Sequence, residues 1–113
     1  MIIYSNNLYL TDKTKNNLEK IKKKIQSRSG MIGVVIIALS QNEKDAFELL
    51  FAPTFKGKII SRRDVYVCGV AENKEAAMDL VADMTEEYIN SNQIYDENYS
   101  KISMREYFLK KFS

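Results

Sequence analysis

The sequence contains no histidine, and this absence removes several classes of function. Histidine is the commonest general base and a frequent metal ligand, and the usual catalytic triads depend on it. The single cysteine, Cys68, cannot form an intramolecular disulfide, and its neighbours in the sequence include no cation that would lower its pKa. We therefore expect a non-catalytic protein that uses no cofactor and no metal, with Cys68 as a buried structural thiol.

Proline and glycine are also scarce, with one proline and four glycines among 113 residues. The chain has no linker composition, and its length and 45% hydrophobic content suit one core. The glycines at positions 30 and 33 lack the remaining spacing of a phosphate-binding or dinucleotide-binding loop. Met1–Tyr4 lack the pattern of a signal peptide, and no apolar run reaches the roughly 20 residues that cross a bilayer. We expect a single domain over residues 1–113 in the cytoplasm, without membrane contact.

The longest apolar run, Met31–Leu39, predicts the central strand of a sheet. Its centre is β-branched and does not alternate with polar residues, which is typical of a strand covered on both faces. A second strand is predicted at Val65–Ala71, where Gly69 indicates a bulge or a close backbone approach. Residues 46–52 fit either a strand or a short helix, and we favour the strand.

Capping residues and apolar periodicity predict three helices. The first long helix runs from Thr11 to about Ser29, and the second follows Asn73 and ends near residue 90. A capping box that begins at Ser103 predicts a short C-terminal helix. Residues 1–10 fit a short strand, a hairpin or an extended arm.

These elements predict an α+β fold in the order α-β-β-β-α, followed by the short helix. We expect a mostly antiparallel sheet of three or four strands, with the two long helices packed chiefly on one face. The central strand then needs a second cover. The C-terminal helix, the N-terminal residues or a second copy of the chain could supply it.

The two long helices carry opposite charges. The first is net +5 over residues 11–28, and the second is net −5 over residues 72–90. Lysines on the first helix could neutralise phosphates without reading bases, and a basic stretch before the last strand could extend that surface. An ordinary solvated helix face explains the same lysines. The candidate contacts with nucleic acid or another anionic partner are Lys20, Lys23, Lys24, Lys56, Lys58, Arg62 and Arg63.

Acidic side chains of the second helix fall within a narrow arc opposite its apolar side. We call them the acidic ridge: Glu72, Glu75, Asp79, Asp83 and Glu86. Pairs one turn apart could bind a hard cation, but parallel side chains on one helix rarely supply six to eight oxygen ligands. A solvated face or a contact with a basic partner is the expectation.

The short C-terminal helix is rich in large apolar side chains, which we predict as an apolar interface: Met104, Tyr107, Phe108 and Phe112. A helix of about two turns does not persist alone in water, so it must dock on its own domain or on another chain.

Together these features predict a small non-catalytic interaction protein that self-associates, most simply as a homodimer, or binds another protein. A two-fold axis could place the basic helix of one subunit against the acidic helix of the other, although the same pairing could form within one subunit. The alternative is an accessory protein that binds nucleic acid through the basic helix and basic loop. An enzyme would need a pocket that gathers carboxylates and tyrosines from distant parts of the sequence.

Overall fold

Four strands form one mixed sheet and four helices pack on it in the computed structural model, which describes residues 2–27, 34–42, 45–51, 64–91, 95 and 97–112. The predicted α+β class is confirmed. The strands are β1 (Ile2–Leu10), β2 (Val35–Leu39), β3 (Phe47–Phe51) and β4 (Val65–Ala71). The helices are α1 (Asp12–Asn16), α2 (Leu18–Ser27), α3 (Lys74–Asn90) and α4 (Met104–Lys111).

The strands lie in the spatial order β1-β4-β2-β3. β2 pairs antiparallel with both β3 and β4, while β1 pairs parallel with β4, so the sheet is mostly antiparallel as predicted. The strand predicted at residues 46–52 is confirmed as β3. The central strand is confirmed over Val35–Leu39, while residues 31–33 lie outside the described residues. The N-terminal segment, for which the sequence left three conformations open, is the outer strand β1.

The two long helices lie on opposite faces of the sheet, so the expectation that both pack chiefly on one face is wrong. Ile36 and Ala38 of β2 point to the first face, where Ile21 of α2 joins their cluster. Val35 and Ile37 point to the second face, where α3 covers them. All five residues of β2 are buried. An unbroken apolar strand of this kind needs a cover on each side, to which Ile21 of α2 contributes on the first face and α3 on the second.

The first predicted helix is divided into α1 and α2 at Asn17. Thr11 is the N-cap, as predicted, and exchanges hydrogen bonds with Thr14 in a capping box. The Thr14 hydroxyl also donates to the Val70 carbonyl oxygen at 2.9 Å, and Thr14 is fully buried. This bond fixes α1 to the sheet, and the helix is interrupted three residues later. The predicted end near Ser29 lies outside the described residues.

β4 contains a bulge next to Gly69. Ile37 of β2 is opposite Gly69, but the next residue, Ala38, is opposite Val67, so Cys68 is the extra residue. A Cβ atom at position 69 would lie 2.9 Å from the carbonyl oxygen of Tyr9 in the adjacent strand. Both roles predicted for Gly69, the bulge and the close backbone approach, are therefore confirmed.

Substitution Gly69→Ala is expected to lower the free energy of unfolding by about 1–3 kcal/mol, since the new methyl group would collide with a strand backbone that has to move. Urea denaturation followed by circular dichroism measures the change. An unfolding free energy within about 0.5 kcal/mol of the wild-type value would contradict the close approach.

Candidate functional site

The outer strand β3 presents an apolar edge. It pairs with β2 on one side, and no described strand pairs with its other side. Phe47 and Leu49 are half-buried and pack on the second face, while Phe51 at the end of the strand is 37% exposed. We call this strand the β3 edge. An outer strand with large apolar side chains and little charge is a template for pairing with another strand.

A second apolar surface lies on helix α3. Val81 of this helix belongs to the same second-face cluster as Leu49 of β3. Farther around the helix, Met78 is 56% exposed and Ile89 is 62% exposed. At about 100° per residue, Met78, Ala82 and Ile89 share an arc of about 40°. We call these three residues the α3 outer stripe.

The acidic ridge faces the other side of α3, toward the junction of β1 and α1. Glu72, Asp79 and Asp83 line an open cleft of about 500 Å³ together with Asp12 and Lys13. The structure therefore brings three of the five ridge residues close to Asp12, an acidic residue distant in sequence. The two ridge residues that do not line the cleft, Glu75 and Glu86, are exposed.

Glu72 is held by its neighbours in the cleft. The Thr11 hydroxyl donates a hydrogen bond to its carboxylate, and this bond lowers the pKa of Glu72, with smaller contributions from its own backbone N–H and the charge of Lys13. Within the described residues, no group of three or more cysteine or acidic side chains is arranged to hold a metal ion. The cleft is thus a hydrogen-bonded junction between α1 and the start of α3.

The basic candidates lie on the opposite face of the sheet from the acidic ridge. Lys20 and Lys23 are exposed on α2, and Lys22 lies with its Nζ 4.9 Å from the ring centroid of Tyr4. The sheet separates α2 from α3, but the predicted basic helix also includes Thr11 and Lys13, which line the cleft with Glu72. Among the described residues, contact between the two oppositely charged segments within one subunit is limited to this junction. The side chain of Lys24, and the whole of Lys56, Lys58, Arg62 and Arg63, lie outside the described part of the chain.

The aromatic residues of α4 pack on their own chain. Tyr107 is 5% exposed and Phe108 is 2% exposed, and Met104 and Phe112 are partly buried in the same cluster. The Phe108 ring lies 5.8 Å from that of Tyr9 and 5.1 Å from that of Phe47, measured between centroids. The chain's own C-terminal helix thus helps α3 to cover the second face, and little apolar surface of these four residues remains for a partner.

A polar cluster around Glu87 fastens α4 to the domain. The two Glu87 carboxylate oxygens accept hydrogen bonds from the hydroxyls of Tyr9 at 2.6 Å and Tyr107 at 2.9 Å, and from the ammonium of Lys111 at 2.8 Å. Burial opposes ionisation of Glu87, but these three bonds outweigh it and lower its pKa. The Glu87 carboxylate in turn raises the pKa of Lys111.

Sequence reasoning missed this cluster because Glu87 follows Glu86 in a helix full of acidic residues. One feature of the sequence did point to Glu87: the residue lies at the border of the apolar side of the helix, one position before the buried Tyr88. A carboxylate at such a border can reach a partner from another element.

The N-terminal strand also holds the end of α4. The Ser5 hydroxyl and the Asn6 backbone N–H both donate to the Phe112 carbonyl oxygen, at 3.1 and 2.9 Å. The Asn7 side-chain amide donates to the Lys111 carbonyl oxygen at 2.7 Å. These residues form the irregular middle of β1, where the register with β4 shifts between Tyr4 and Tyr9. The irregularity thus caps a helix C-terminus.

Burial raises the pKa values of two side chains on the sheet, Tyr9 and Cys68. Burial, followed by the hydrogen bond to the Glu87 carboxylate, raises the pKa of Tyr9 to about 12. Burial also raises the pKa of Cys68 to about 12. A general acid or base works best with a pKa near the working pH, and a nucleophilic cysteine needs a lowered pKa.

None of the helices in the described ranges is long and apolar enough to cross a membrane. No protein-family model, curated protein or solved structure matches the chain.

Substitution Glu87→Gln is expected to lower the free energy of unfolding at pH 7 by about 1–2 kcal/mol. The effect is smaller than that of a fully buried charge pair, because the Glu87 side chain is 34% exposed and solvent screens it. Because its pKa is lowered on folding, the carboxylate stabilises the fold above its unfolded pKa of about 4.3, and this contribution is lost as the pH falls through the folded value. Urea denaturation at pH 7 and at about pH 3 should show the difference between wild type and variant shrinking in acid.

The matched control is Glu86→Gln, which makes the same change on the exposed neighbour. It should alter stability by less than about 0.5 kcal/mol at either pH. Equal effects of the two substitutions at pH 7 would show that the Glu87 cluster does not stabilise the domain.

Proposed function

We propose that the protein is a non-catalytic interaction protein that forms a homodimer through the β3 edge. The observation that carries the proposal is an apolar outer strand whose last residue, Phe51, is 37% exposed. Addition of a strand to an open sheet edge is a common mode of recognition, in which backbone hydrogen bonds supply affinity and alternate side chains supply specificity.

The sequence of β3 suits antiparallel pairing with its own copy. With Leu49 on the two-fold axis, Phe47 of one subunit lies opposite Phe51 of the other, and Leu49 lies opposite Leu49. All of these side chains belong to the second face, because alternate residues of a strand share a face. Each aromatic or aliphatic cross-strand pair contributes roughly 0.2–1 kcal/mol. The two four-stranded sheets would join into one of eight strands.

The other sheet edge is less suited to this role. β1 contains the irregular segment from Ser5 to Leu8, and its Ser5 and Asn6 donors are already bonded to the end of α4. Irregular edges of this kind resist strand pairing. β3, in contrast, pairs with β2 without a register shift over its whole length.

The surroundings of β3 also favour association by apolar contact. Three residues of the acidic ridge line a cleft beside Leu10 and Thr11, at the β1 edge of the sheet and away from β3. The ridge carboxylates would therefore stay solvated in the dimer. Such a dimer should persist in high salt, whereas a dimer held by basic-to-acidic helix contacts would dissociate as its charges are screened.

Substitution Phe51→Lys is expected to weaken dimerisation at least about tenfold, since a buried phenylalanine contributes about 1.5–3 kcal/mol and 1.4 kcal/mol corresponds to tenfold. Sedimentation equilibrium over a micromolar concentration series measures the dissociation constant. The wild-type dimer should not dissociate between about 0.1 and 1 M salt.

Leu109→Lys is the matched control, because Leu109 is 43% exposed and lies on α4 rather than on the edge strand. It should leave the dissociation constant unchanged. A monomer at every concentration, or equal weakening by both substitutions, would overturn the β3 dimer. Dissociation in high salt would instead support the charge-paired dimer.

A further inference from the structure

The first face of the sheet carries exposed lysines that form no ion pair with a described acidic side chain. Lys15, Lys20 and Lys23 are exposed on α1 and α2. Among the described side chains, none forms an ion pair with these three lysines, including Glu19, which lies one turn from both Lys15 and Lys23. The sheet separates Lys20 and Lys23 of α2 from the acidic ridge, whereas Asp12 and Lys13 of α1 line the cleft with Glu72. Glu48 of β3 also points to the first face, since it alternates with Phe47 and Leu49, but lysines outnumber the acidic residues among the described residues there.

The proposed dimer doubles that surface. A two-fold axis that pairs β3 with its copy in antiparallel fashion stands normal to the sheet, so the first faces of both subunits point the same way. The two α2 helices then share one side of the eight-stranded sheet, and both acidic ridges share the other. Each subunit contributes the exposed Lys20 and Lys23 of α2 to this side.

We infer that this doubled basic face binds the phosphate backbone of double-stranded DNA, an inference that rests on the proposed β3 dimer. A duplex presents one negative charge per about 1.7 Å of its axis, and lysines that approach it release condensed counterions. The exposed cations on α1 and α2 are all lysines, which contact phosphates as point charges rather than reading base edges. Binding is therefore independent of sequence.

The chemistry of the described part of the face favours a duplex over a bilayer or a single strand. The described large apolar side chains that are exposed include none on α1 or α2, so this part of the face offers none to insert into a bilayer. Its described aromatic residue Tyr4 is partly buried beneath Lys22, which leaves single-stranded bases no open ring there on which to stack. Duplex RNA presents phosphates as well as 2′-hydroxyls, so its binding is compared with that of DNA in the experiment.

Fluorescence anisotropy with a labelled DNA duplex of about 24 base pairs tests the inference, using the full chain between about 50 and 200 mM salt. Wild-type binding should fall steeply with salt. The double substitution Lys20→Glu and Lys23→Glu should weaken binding at least about tenfold at 50 mM salt. The slope of log K against log salt should fall by about 0.9 for each phosphate that the variant no longer neutralises.

The matched control reverses two lysines on the acidic side, Lys74→Glu and Lys110→Glu, and changes the net charge by the same amount. Both residues are exposed. The control should bind DNA much more tightly than the first-face variant. Equal weakening by the two variants would show that only net charge matters and would overturn the inference.

Sedimentation of the same variants tests the proposed dimer separately from the proposed DNA-binding face. Lys20→Glu with Lys23→Glu should leave the dimer intact, whereas Phe51→Lys should weaken both dimerisation and DNA binding. A wild-type dimer that binds no duplex at 50 mM salt overturns the inference and leaves the proposed function standing. If the Phe51→Lys variant is monomeric and still binds DNA as tightly as the wild type, the inference that the dimer forms the binding face is overturned. Stronger binding to duplex RNA or to vesicles containing phosphatidylserine also overturns it.

Discussion

The rest of the structure depends on one strand, β2, both faces of which must be shielded from solvent. The residues of β2 are at most 3% exposed, and they point alternately to two faces. Neither face can be left to solvent, so α2 covers the first and α3, with α4, covers the second. This division fixes the charge distribution, because the basic and acidic helices end on opposite sides of the sheet. The separation of charge thus follows from the burial of a strand.

The second cover requires the two chain ends to meet. α4 has eight residues and would not persist alone, so its position depends on contacts outside itself. Apolar packing of Phe108 is joined by hydrogen bonds from the middle of β1 to the last carbonyls and by the three donors that surround Glu87. Buried polar groups cost stability unless they are paired, and here each pairing also holds an element in place. The irregular middle of β1 therefore has a structural cause.

Local signals predicted the elements of this fold, and non-local contacts decided what the sequence left open. Thr11, Asn73 and Ser103 each accept the hydrogen bond expected of an N-cap, because capping involves residues within one turn. The face on which each helix packs depends on the whole sheet and was predicted wrongly. The parallel pairing of β1 with β4 joins residues about sixty positions apart, and periodicity contains no information on it. The partners of Glu87 likewise come from other elements, Tyr9 of β1, 78 positions away, and Tyr107 and Lys111 of α4, 20 and 24 positions away.

Separation of charge by face also links self-association to the binding of a polyanion. Pairing at β3 places two basic helices on one side, where their mutual repulsion opposes the apolar attraction of the edge strands. A duplex bound across that side would neutralise the repulsion and so favour the dimer. The two effects are thermodynamically linked. DNA binding increases the dimerisation constant by the same factor by which dimerisation increases the affinity for DNA. Salt then acts in opposite directions on the two steps: it relieves repulsion in the free dimer and weakens the complex with DNA. The β3 edge and the basic face would thus form one coupled system, although no described side chain belongs to both.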